Sequence, residues 1–163
     1  EVKIQSHYES LHMDVYKSTV ILFLAEIIKN AIQEEEKNEE LFDFITTSFT
    51  WFDKHEAPNF HILFLLKLSR FLGFYPETEH QDNPFFNLAD GTFQFSKTSV
   101  YCISGDTVNY LKTLLGINFD DLNSLTINSV QRKNLLDNII LYYKLHIENF
   151  VSLKSLEVLR KLF

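Results

Sequence analysis

The chain has 163 residues and a formal net charge of −7. Because Cys102 is its single cysteine, an internal disulfide and a zinc site with several thiolate ligands are excluded. The acidic total argues against strong binding of duplex DNA by this piece alone, since neutralisation of phosphates dominates nucleic-acid affinity.

Charge is distributed unevenly along the chain. Residues 1–56 hold 5 basic and 12 acidic residues, whereas residues 129–163 hold 6 basic and 3 acidic residues. A basic C-terminal third suits an acidic partner. The charge pattern therefore favours a protein partner over nucleic acid.

The first predicted elements are a linker and a helix. Residues 1–10 carry alternating Val2 and Ile4, which is typical of an exit strand or linker. Apolar residues at helical spacing predict the first helix from about residue 14 to 32. The acidic run 34–40 suits either a docking surface for a basic partner or a solvated loop. We favour the loop, with Asn38 as N-cap of the next helix.

A second helix is predicted over residues 39–54, and Pro58 is predicted to start a third. Trp51 lies beside the apolar face of the second helix. A core or groove-lining role for Trp51 is favoured over a stacking platform for nucleic acid. Short connectors between the three helices predict an antiparallel cluster.

The stretch FHILFLLKLSRFLGFYP, residues 60–76, is apolar nearly all the way round at helical spacing. Such a helix is normally central and buried, and it is too short and too charged to span a bilayer. Gly73 is predicted to close it, and Pro76 prevents its resumption. Lys67 and Arg70 lie three residues apart and therefore share one face.

The second half of the chain mixes strand and helix signals. Asp90-Gly91 between two Phe-rich runs predicts a β-hairpin. Ser104 is predicted to begin a short helix to about residue 115, and a further turn covers residues 119–125. Asn128 is predicted to cap a long helix to about residue 146, and Ser152 to cap a last one. The sequence thus predicts a mainly α protein, a compact multi-helix bundle with one small β-hairpin insertion.

Residues that could carry chemistry are scattered. The six histidines show no HExxH-like spacing, and His61 is expected to be a hydrogen-bonded core histidine. His80 and Cys102 flank the hairpin, but two ligands are too few for zinc. Asp120 and Asp121 are adjacent in sequence and point apart on a helix, which disfavours joint acid–base work. We predict that the chain is not an enzyme.

The remaining signal is basic and aromatic. If cations of the central and last helices surround an apolar groove, they would suit a peptide with acidic residues and an aromatic end. The alternative is that these cations are ordinary surface side chains. The candidates are Lys67, Arg70, Arg132, Lys133, Lys144, Lys154, Arg160 and Lys161.

Two segments carry the most specific motifs of the chain. The first is residues 60–76, which end with Leu72, Gly73, Phe74 and Pro76 at motif positions. The second is LKSLEVLRKLF, with residues 153–155 and 157 at motif positions. Together they resemble the C-terminal domain of RecO, the bacterial recombination mediator, in which a helix ends in Leu-Gly-Tyr/Phe-x-Pro and the closing helix carries Leu-Lys-Ser-x-Glu. The resemblance covers nearly the whole chain and predicts a RecO-like helical domain over residues 11–163.

The resemblance implies a function in DNA repair and recombination. RecO proteins have an N-terminal OB-fold domain that is not in this sequence, so residues 1–10 would be its exit strand or linker. The whole protein would bind single- and double-stranded DNA, mainly through the OB domain, and promote strand annealing. It would also recognise the acidic, Phe-terminated tail of single-stranded-DNA-binding protein (SSB). With RecR it would help RecA to load, in the cytoplasm near the nucleoid and without membrane contact.

The resemblance also suggests where the partners bind. Lys67, Arg70, Lys154 and Arg160 are candidates for the SSB tail or RecR. The candidates for contacts with nucleic acid are Arg132, Lys133, Lys144 and Lys161.

One departure from the family concerns zinc. Many relatives carry Cys-x-x-Cys pairs just after the Leu-Gly-Tyr-x-Pro segment, whereas this chain has Glu-Thr-Glu-His-Gln at residues 77–81. We expect a zinc-free variant without cofactors. Apolar packing of four phenylalanines, Phe85, Phe86, Phe93 and Phe95, is predicted to replace the metal.

Two other functions remain open. A small-molecule-sensing helical domain would need a deep apolar pocket without a cationic rim. A helical hydrolase would need two convergent titratable groups.

Overall fold

The computed structural model describes residues 8–32 and 37–162, and most of them are helical. The prediction of a linker over residues 1–10 and that of an acidic loop over residues 34–40 fall partly outside these ranges. The mainly α fold class with a small β insertion is confirmed. The described helices are α1 (Val15–Ala31), α2 (Glu39–Lys54), α3 (Phe60–Phe71), α4 (Asp106–Leu115), a 3₁₀ helix (Phe119–Ser124), α5 (Ser129–His146) and α6 (Lys154–Arg160).

The chain divides into two compact units. One consists of Glu1–Pro58 and Leu153–Phe163, and we call it the terminal unit. The other consists of Asn59–Ser152, and we call it the central unit. Of the helices, α1, α2 and α6 belong to the terminal unit, and the rest belong to the central unit.

In the terminal unit, α1 packs against both α2 and α6. Local caps fix the helix starts: Asp14 accepts from the backbone N–H of Lys17, and Asn38 accepts from that of Leu41 at 2.9 Å. The predicted N-cap at Asn38 is therefore confirmed. The buried apolar face of α1, which the sequence pattern indicated, consists of Val20, Phe23, Leu24, Ile27 and Ala31.

The start of α6 differs from the sequence prediction. Ser152 does not cap it: the N-cap position is Leu153, and no side chain of α6 itself closes the end. Instead the carboxylate of Glu26, on α1, accepts from the backbone N–H groups of Lys154 and Ser155, each at 2.9 Å. Because an acceptor at a helix N-terminus satisfies otherwise unpaired N–H groups, Glu26 supplies the cap from a distant part of the chain.

In the central unit, α3 packs against α5 and the 3₁₀ helix, and α4 packs against α3 and α5. Nine of the 12 residues of α3 are buried, which confirms the prediction of a central helix. The predicted role of Gly73 is confirmed as well. Gly73 has φ +85°, its N–H bonds to Arg70 O, and the N–H of Phe74 bonds to Ser69 O at 3.0 Å. This is a Schellman closure, which favours glycine because of the left-handed backbone.

The β insertion is a three-stranded antiparallel sheet in the order β2-β1-β3, formed by β1 (Phe85–Asn87), β2 (Thr92–Gln94) and β3 (Cys102–Ser104). The predicted hairpin corresponds to β1 and β2, which pair with Phe86 opposite Phe93. The third strand was not predicted. Ser104 ends β3, and α4 follows Gly105, so the predicted helix start at Ser104 is wrong.

The phenylalanines of the sheet fulfil their predicted packing role only in part. Phe86 and Phe93 are buried, with ring centroids 4.9 Å apart. Phe85 is half-buried, and Phe95 is 82% exposed, so its predicted place in this packing is wrong. The reason is register: Phe95 follows the last residue of β2 and enters the loop to β3. The apolar interior of the sheet thus rests on Phe86 and Phe93.

No helix within residues 8–32 and 37–162 combines the length and apolar character that crossing a bilayer requires.

Candidate partner-binding site

Lys67 and Arg70 lie near the end of α3 and share one of its faces. Lys67 is half-buried, and its Nζ donates to Asn118 Oδ1 at 3.3 Å. Arg70 is exposed, and its Cζ lies 4.5 Å from the ring centroid of Tyr75. The turn at Gly73 reverses the chain and so returns Tyr75 to the last turn of α3. We call Lys67, Arg70 and Tyr75 the basic window.

The electrostatics of the basic window follow from its two positive charges. Burial and the positive charge of Arg70 lower the pKa of Lys67, and the negative charge of Asp121 acts in the opposite direction. Within the described parts of the chain, neither Lys67 nor Arg70 forms an ion pair with a carboxylate. The window therefore holds two neighbouring cations whose mutual repulsion an anion would relieve.

This arrangement suits a ligand with carboxylate or phosphate groups. A guanidinium presents a planar fork of donors that matches a carboxylate, and an ammonium acts as a compact point charge. The ring of Tyr75 orients the guanidinium through a cation–π contact, and Arg70 is exposed. The window can thus bind an anion.

The other two partner-binding candidates lie on α6, in the terminal unit. Lys154 is exposed and is the first residue of α6, so it cannot bond the last carbonyls of that helix. Arg160 is half-buried and is the last residue of α6. Lys67 and Arg70 belong to the central unit. The predicted partner-binding role of all four residues stays a prediction.

The nucleic-acid candidates differ in how far their charges are engaged. Arg132 donates from Nε to Asn59 Oδ1 at 2.8 Å and from Nη2 to Ile127 O at 3.0 Å. These bonds fix the residue that precedes α3, so Arg132 has a structural task. Lys133, Lys144 and Lys161 are exposed. Their predicted contacts with nucleic acid stay predictions, as does that of Arg132.

A buried polar cluster in the terminal unit was missed by sequence reasoning. Asp53 accepts from the backbone N–H groups of Glu9, Ser10 and Leu11 at 2.7–2.9 Å. The Nζ of Lys17 donates to Ser10 Oγ at 3.0 Å and to Asp53 O at 3.1 Å, and it pairs with Glu56 at 3.2 Å. The cluster anchors residues 9–11.

Comparison with known proteins decides the family. A family model described as "Recombination protein O C terminal" matches residues 12–157. The chain belongs to the RecO family. Curated relatives named DNA repair protein RecO include those of Christiangramia forsetii at 46% identity, Flavobacterium psychrophilum at 40% and Bacteroides fragilis at 36%. Each alignment covers 100% of this chain and 68–69% of the relative. No solved structure matches the chain.

Family membership confirms the resemblance that rested on the Leu-Gly-Phe-x-Pro segment, and the structure shows what this segment does. Gly73 closes α3, and the ring of Phe74 then packs among side chains of α5. Its centroid lies 5.0 Å from that of Tyr143 and 5.2 Å from that of His146, on which it stacks. The Tyr143 hydroxyl donates to Leu65 O at 2.7 Å. In this RecO chain the motif therefore joins α3 to α5 next to the basic window.

The residues considered as metal ligands are held in other ways. His80 is exposed, and the Cys102 thiol lies 3.7 Å from the Thr98 hydroxyl and 3.8 Å from that of Ser99. Burial raises the pKa of Cys102, but hydrogen bonds from Ser99 and Thr98 outweigh this effect and lower it. In residues 8–32 and 37–162, no group of three or more His, Cys, Asp or Glu side chains is arranged to hold a metal ion.

His61 is fully buried in α3, as the sequence suggested. Burial and the positive charge of Arg132 lower its pKa to about 3. The ring is therefore neutral at physiological pH and is isolated from solvent.

An apolar cavity lies in the central unit, between α3, α4, α5 and the sheet. Its volume is about 10 Å³, which accommodates one water molecule at most. A small-molecule-sensing domain would need a far larger pocket. The cavity thus gives that alternative function no support. Its lining includes Leu66, Phe86, Leu111, Ile139 and Tyr142.

Proposed function

We propose that this chain is the protein-interaction part of a DNA repair protein RecO and that the basic window receives an acidic peptide with an aromatic end. In the RecO context that peptide is the C-terminal tail of SSB. Membership of the RecO family supports the repair role. The observation that carries the binding role is the pair of neighbouring cations, Lys67 and Arg70, without a carboxylate partner in the described chain.

The mechanism is mediation by binding, without bond-making chemistry. Acidic residues of the tail would bond the Arg70 fork and the Lys67 ammonium, and the terminal aromatic ring would lie against apolar surface. Recruitment of RecO to SSB-coated DNA would then bring an upstream OB domain to the strands that it anneals. Lys154 and Arg160 are proposed as a second basic element for the SSB tail or for RecR.

Contacts with DNA are proposed to come mainly from the upstream OB domain. The net charge of −7 limits the phosphate affinity of the present residues. The exposed Lys133, Lys144 and Lys161 would add weaker contacts of their own, and Arg132 is proposed to contribute its positive charge. RecR would join the complex in the cytoplasm, and the loading of RecA would be promoted indirectly.

We further propose that the fold needs no zinc or other cofactor. Residues 77–81 provide one histidine and two carboxylates but no thiol, a poor donor set for a structural zinc site. The sheet holds this region through strand pairing and the buried rings of Phe86 and Phe93. Elemental analysis of the purified protein is expected to find no stoichiometric zinc. One tightly bound zinc per chain would contradict the proposal.

The binding role is tested with a fluorescent peptide ending in Asp-Ile-Pro-Phe, by anisotropy titration at several salt concentrations. Wild-type protein is expected to bind, and affinity is expected to fall as salt rises because exposed charges are screened. Arg70→Ala is expected to weaken binding roughly tenfold or more, since it removes the two-pronged donor. Lys67→Ala is expected to have a smaller effect, because part of its donor capacity already serves Asn118.

Lys97→Ala is the matched control: Lys97 is exposed, lies in the same unit and belongs to no proposed site. It removes one positive charge without touching the basic window. Equal losses for Lys97→Ala and Arg70→Ala would mean that only total charge matters. Absence of binding at low salt would contradict the proposed function.

A further inference from the structure

The basic window is flanked by a segment of the same chemistry as its proposed ligand. Residues 118–122, Asn-Phe-Asp-Asp-Leu, contain an aromatic ring and two adjacent carboxylates at the start of the 3₁₀ helix. The proposed peptide likewise combines carboxylates with an aromatic ring. The segment lies in the same unit as the window. A local hydrogen bond from the Asn118 backbone N–H to the Asp121 carboxylate holds the start of the 3₁₀ helix.

Two contacts place this segment against the window. Asn118 Oδ1 is the hydrogen-bond acceptor of Lys67 Nζ, at 3.3 Å. The Asp121 carboxylate accepts from the Asn118 backbone N–H at 3.0 Å, and its negative charge acts on Lys67. The ring of Phe119 packs against α3, with its centroid 5.2 Å from that of Phe60, and so anchors the segment to this helix. Lys67 thus donates to an internal acceptor and lies within the electrostatic influence of an internal carboxylate, whereas the Arg70 guanidinium lies over the ring of Tyr75.

We propose that the start of the 3₁₀ helix is an internal competitor for the basic window: Asn118 occupies Lys67, Asp121 offsets its charge, and a ligand must displace Asn118 and outweigh Asp121. This inference rests on the proposed function, because it assigns the residues that set affinity and specificity at the same site. A tethered competitor acts at a high effective concentration and needs no strong contact of its own.

The competitor has a consequence for specificity. A ligand with one carboxylate can use Arg70, but it gains little from Lys67 while Asn118 and Asp121 remain in place. A ligand with several adjacent carboxylates can engage both cations at once. The arrangement therefore selects peptides with a run of acidic residues over peptides with a single one.

Removal of the internal charge tests the proposal. Asp121→Asn keeps an oxygen acceptor for the Asn118 N–H and removes the charge beside Lys67. This variant is expected to bind the acidic Asp-Ile-Pro-Phe peptide roughly threefold to fivefold more tightly than wild-type protein at low salt. The gain is expected to shrink at high salt.

Asp82→Asn is the matched control, since Asp82 is exposed in the same unit and the substitution makes the same change in net charge. It is expected to leave affinity unchanged. An equal gain for both variants would overturn the proposal, because the effect would then be one of total charge. Unchanged or weaker binding by a folded Asp121→Asn protein would overturn it too.

A second measurement uses wild-type protein only, so it tests the proposal even if the Asp121→Asn variant does not fold. Hydrogen exchange of the amides in residues 119–125 is expected to become faster when the peptide is bound, since the segment loses its contact with Lys67. Unchanged exchange under saturating peptide would overturn the proposal. These outcomes are distinct from failure of the proposed function, which would show as no peptide binding by wild-type protein or by any variant.

Discussion

Asp53 in the terminal unit and His61 in the central unit are both buried and titratable, and they are close in sequence. At neutral pH, however, Asp53 is charged and His61 is uncharged. Burial tends to raise the pKa of Asp53, but hydrogen bonds from the N–H groups of residues 9–11 outweigh it and lower the pKa to about 2. For His61, burial and the positive charge of Arg132 both lower the pKa, to about 3. Asp53 is thus charged and His61 is neutral.

Burial disfavours the charged form of both groups, and for the Asp53 carboxylate the hydrogen bonds from three backbone N–H groups outweigh it. A carboxylate that accepts several backbone N–H groups is stabilised in its ionised form, whereas an imidazole in an apolar helix core loses its proton. Both states have a stability consequence, because each group has an ordinary pKa in the unfolded chain.

The largest expected effect is acid destabilisation through His61. Its pKa is about 3 in the folded state and 6.5 ordinarily, so between these values the unfolded chain binds more protons. Stability is therefore intact above pH 6.5 and falls on acidification by about 1.4 kcal/mol per pH unit, roughly 3–5 kcal/mol over the full window. This slope is expected in urea unfolding at several pH values, when unfolding is monitored through hydrogen exchange of the α3 amides.

His61→Leu is expected to remove the slope, and His12→Gln, at an exposed position, is expected to keep it. The fluorescence of Trp51, the single tryptophan, reports on the terminal unit and provides a second probe. If His61→Leu kept the same pH dependence of stability, the contrast between Asp53 and His61 would fail, since another group would then cause the acid destabilisation.

The next effect concerns Asp53. Asp53→Ala leaves three backbone N–H groups without their acceptor and is expected to lower the free energy of unfolding by about 2–4 kcal/mol. Asp53→Asn keeps one acceptor oxygen and is expected to lose less. The contribution of Asp53 is present above pH 3.8 and is lost as the pH falls toward 2, a lower window than that of His61.

Asp43→Ala, an exposed change on the same helix, is expected to stay within about 0.5 kcal/mol of wild type. Urea unfolding followed by Trp51 fluorescence measures all three variants. If Asp43→Ala and Asp53→Ala cost the same, the backbone donors would contribute nothing and the comparison would fail.

The smallest expected effect concerns Glu26, a second carboxylate whose hydrogen bonds outweigh burial. Burial raises the pKa of Glu26, but hydrogen bonds from Ser155 and Lys154 outweigh it and lower the pKa. Glu26→Ala is expected to lower the free energy of unfolding by about 1 kcal/mol, the usual contribution of a helix cap. Ser152→Ala is expected to change it by less than about 0.5 kcal/mol. Thermal unfolding that ranks the two variants in the reverse order would restore Ser152 as the cap.

Short-range signals in the sequence predicted most of the fold. Apolar periodicity located the helices, and Asn38, Gly73 and Asn128 end or begin them as expected because each acts within a few residues. The second helix has the predicted bounds, Glu39–Lys54. The strand β3 escaped notice since its three residues pair with β1, and pairing between distant segments leaves no periodic pattern in so short a run.

The candidate site was predicted less completely. The spacing of Lys67 and Arg70 showed that they share a face of α3, but the contacts with Asn118 and Tyr75 required the folded chain. Likewise nothing near Arg132 in sequence indicates that its guanidinium bonds Asn59, which is far away along the chain.

The sequence by itself determined the mainly helical class, the buried central helix, its basic face and the resemblance to RecO, because all of these follow from local pattern or motif. The tertiary structure decided which polar groups keep a charge and which cations have partners. Glu26 caps α6, Asp53 holds residues 9–11, and Asn118 occupies Lys67. These interactions join residues that are distant in sequence, and their strength depends on burial and geometry that only the folded chain creates.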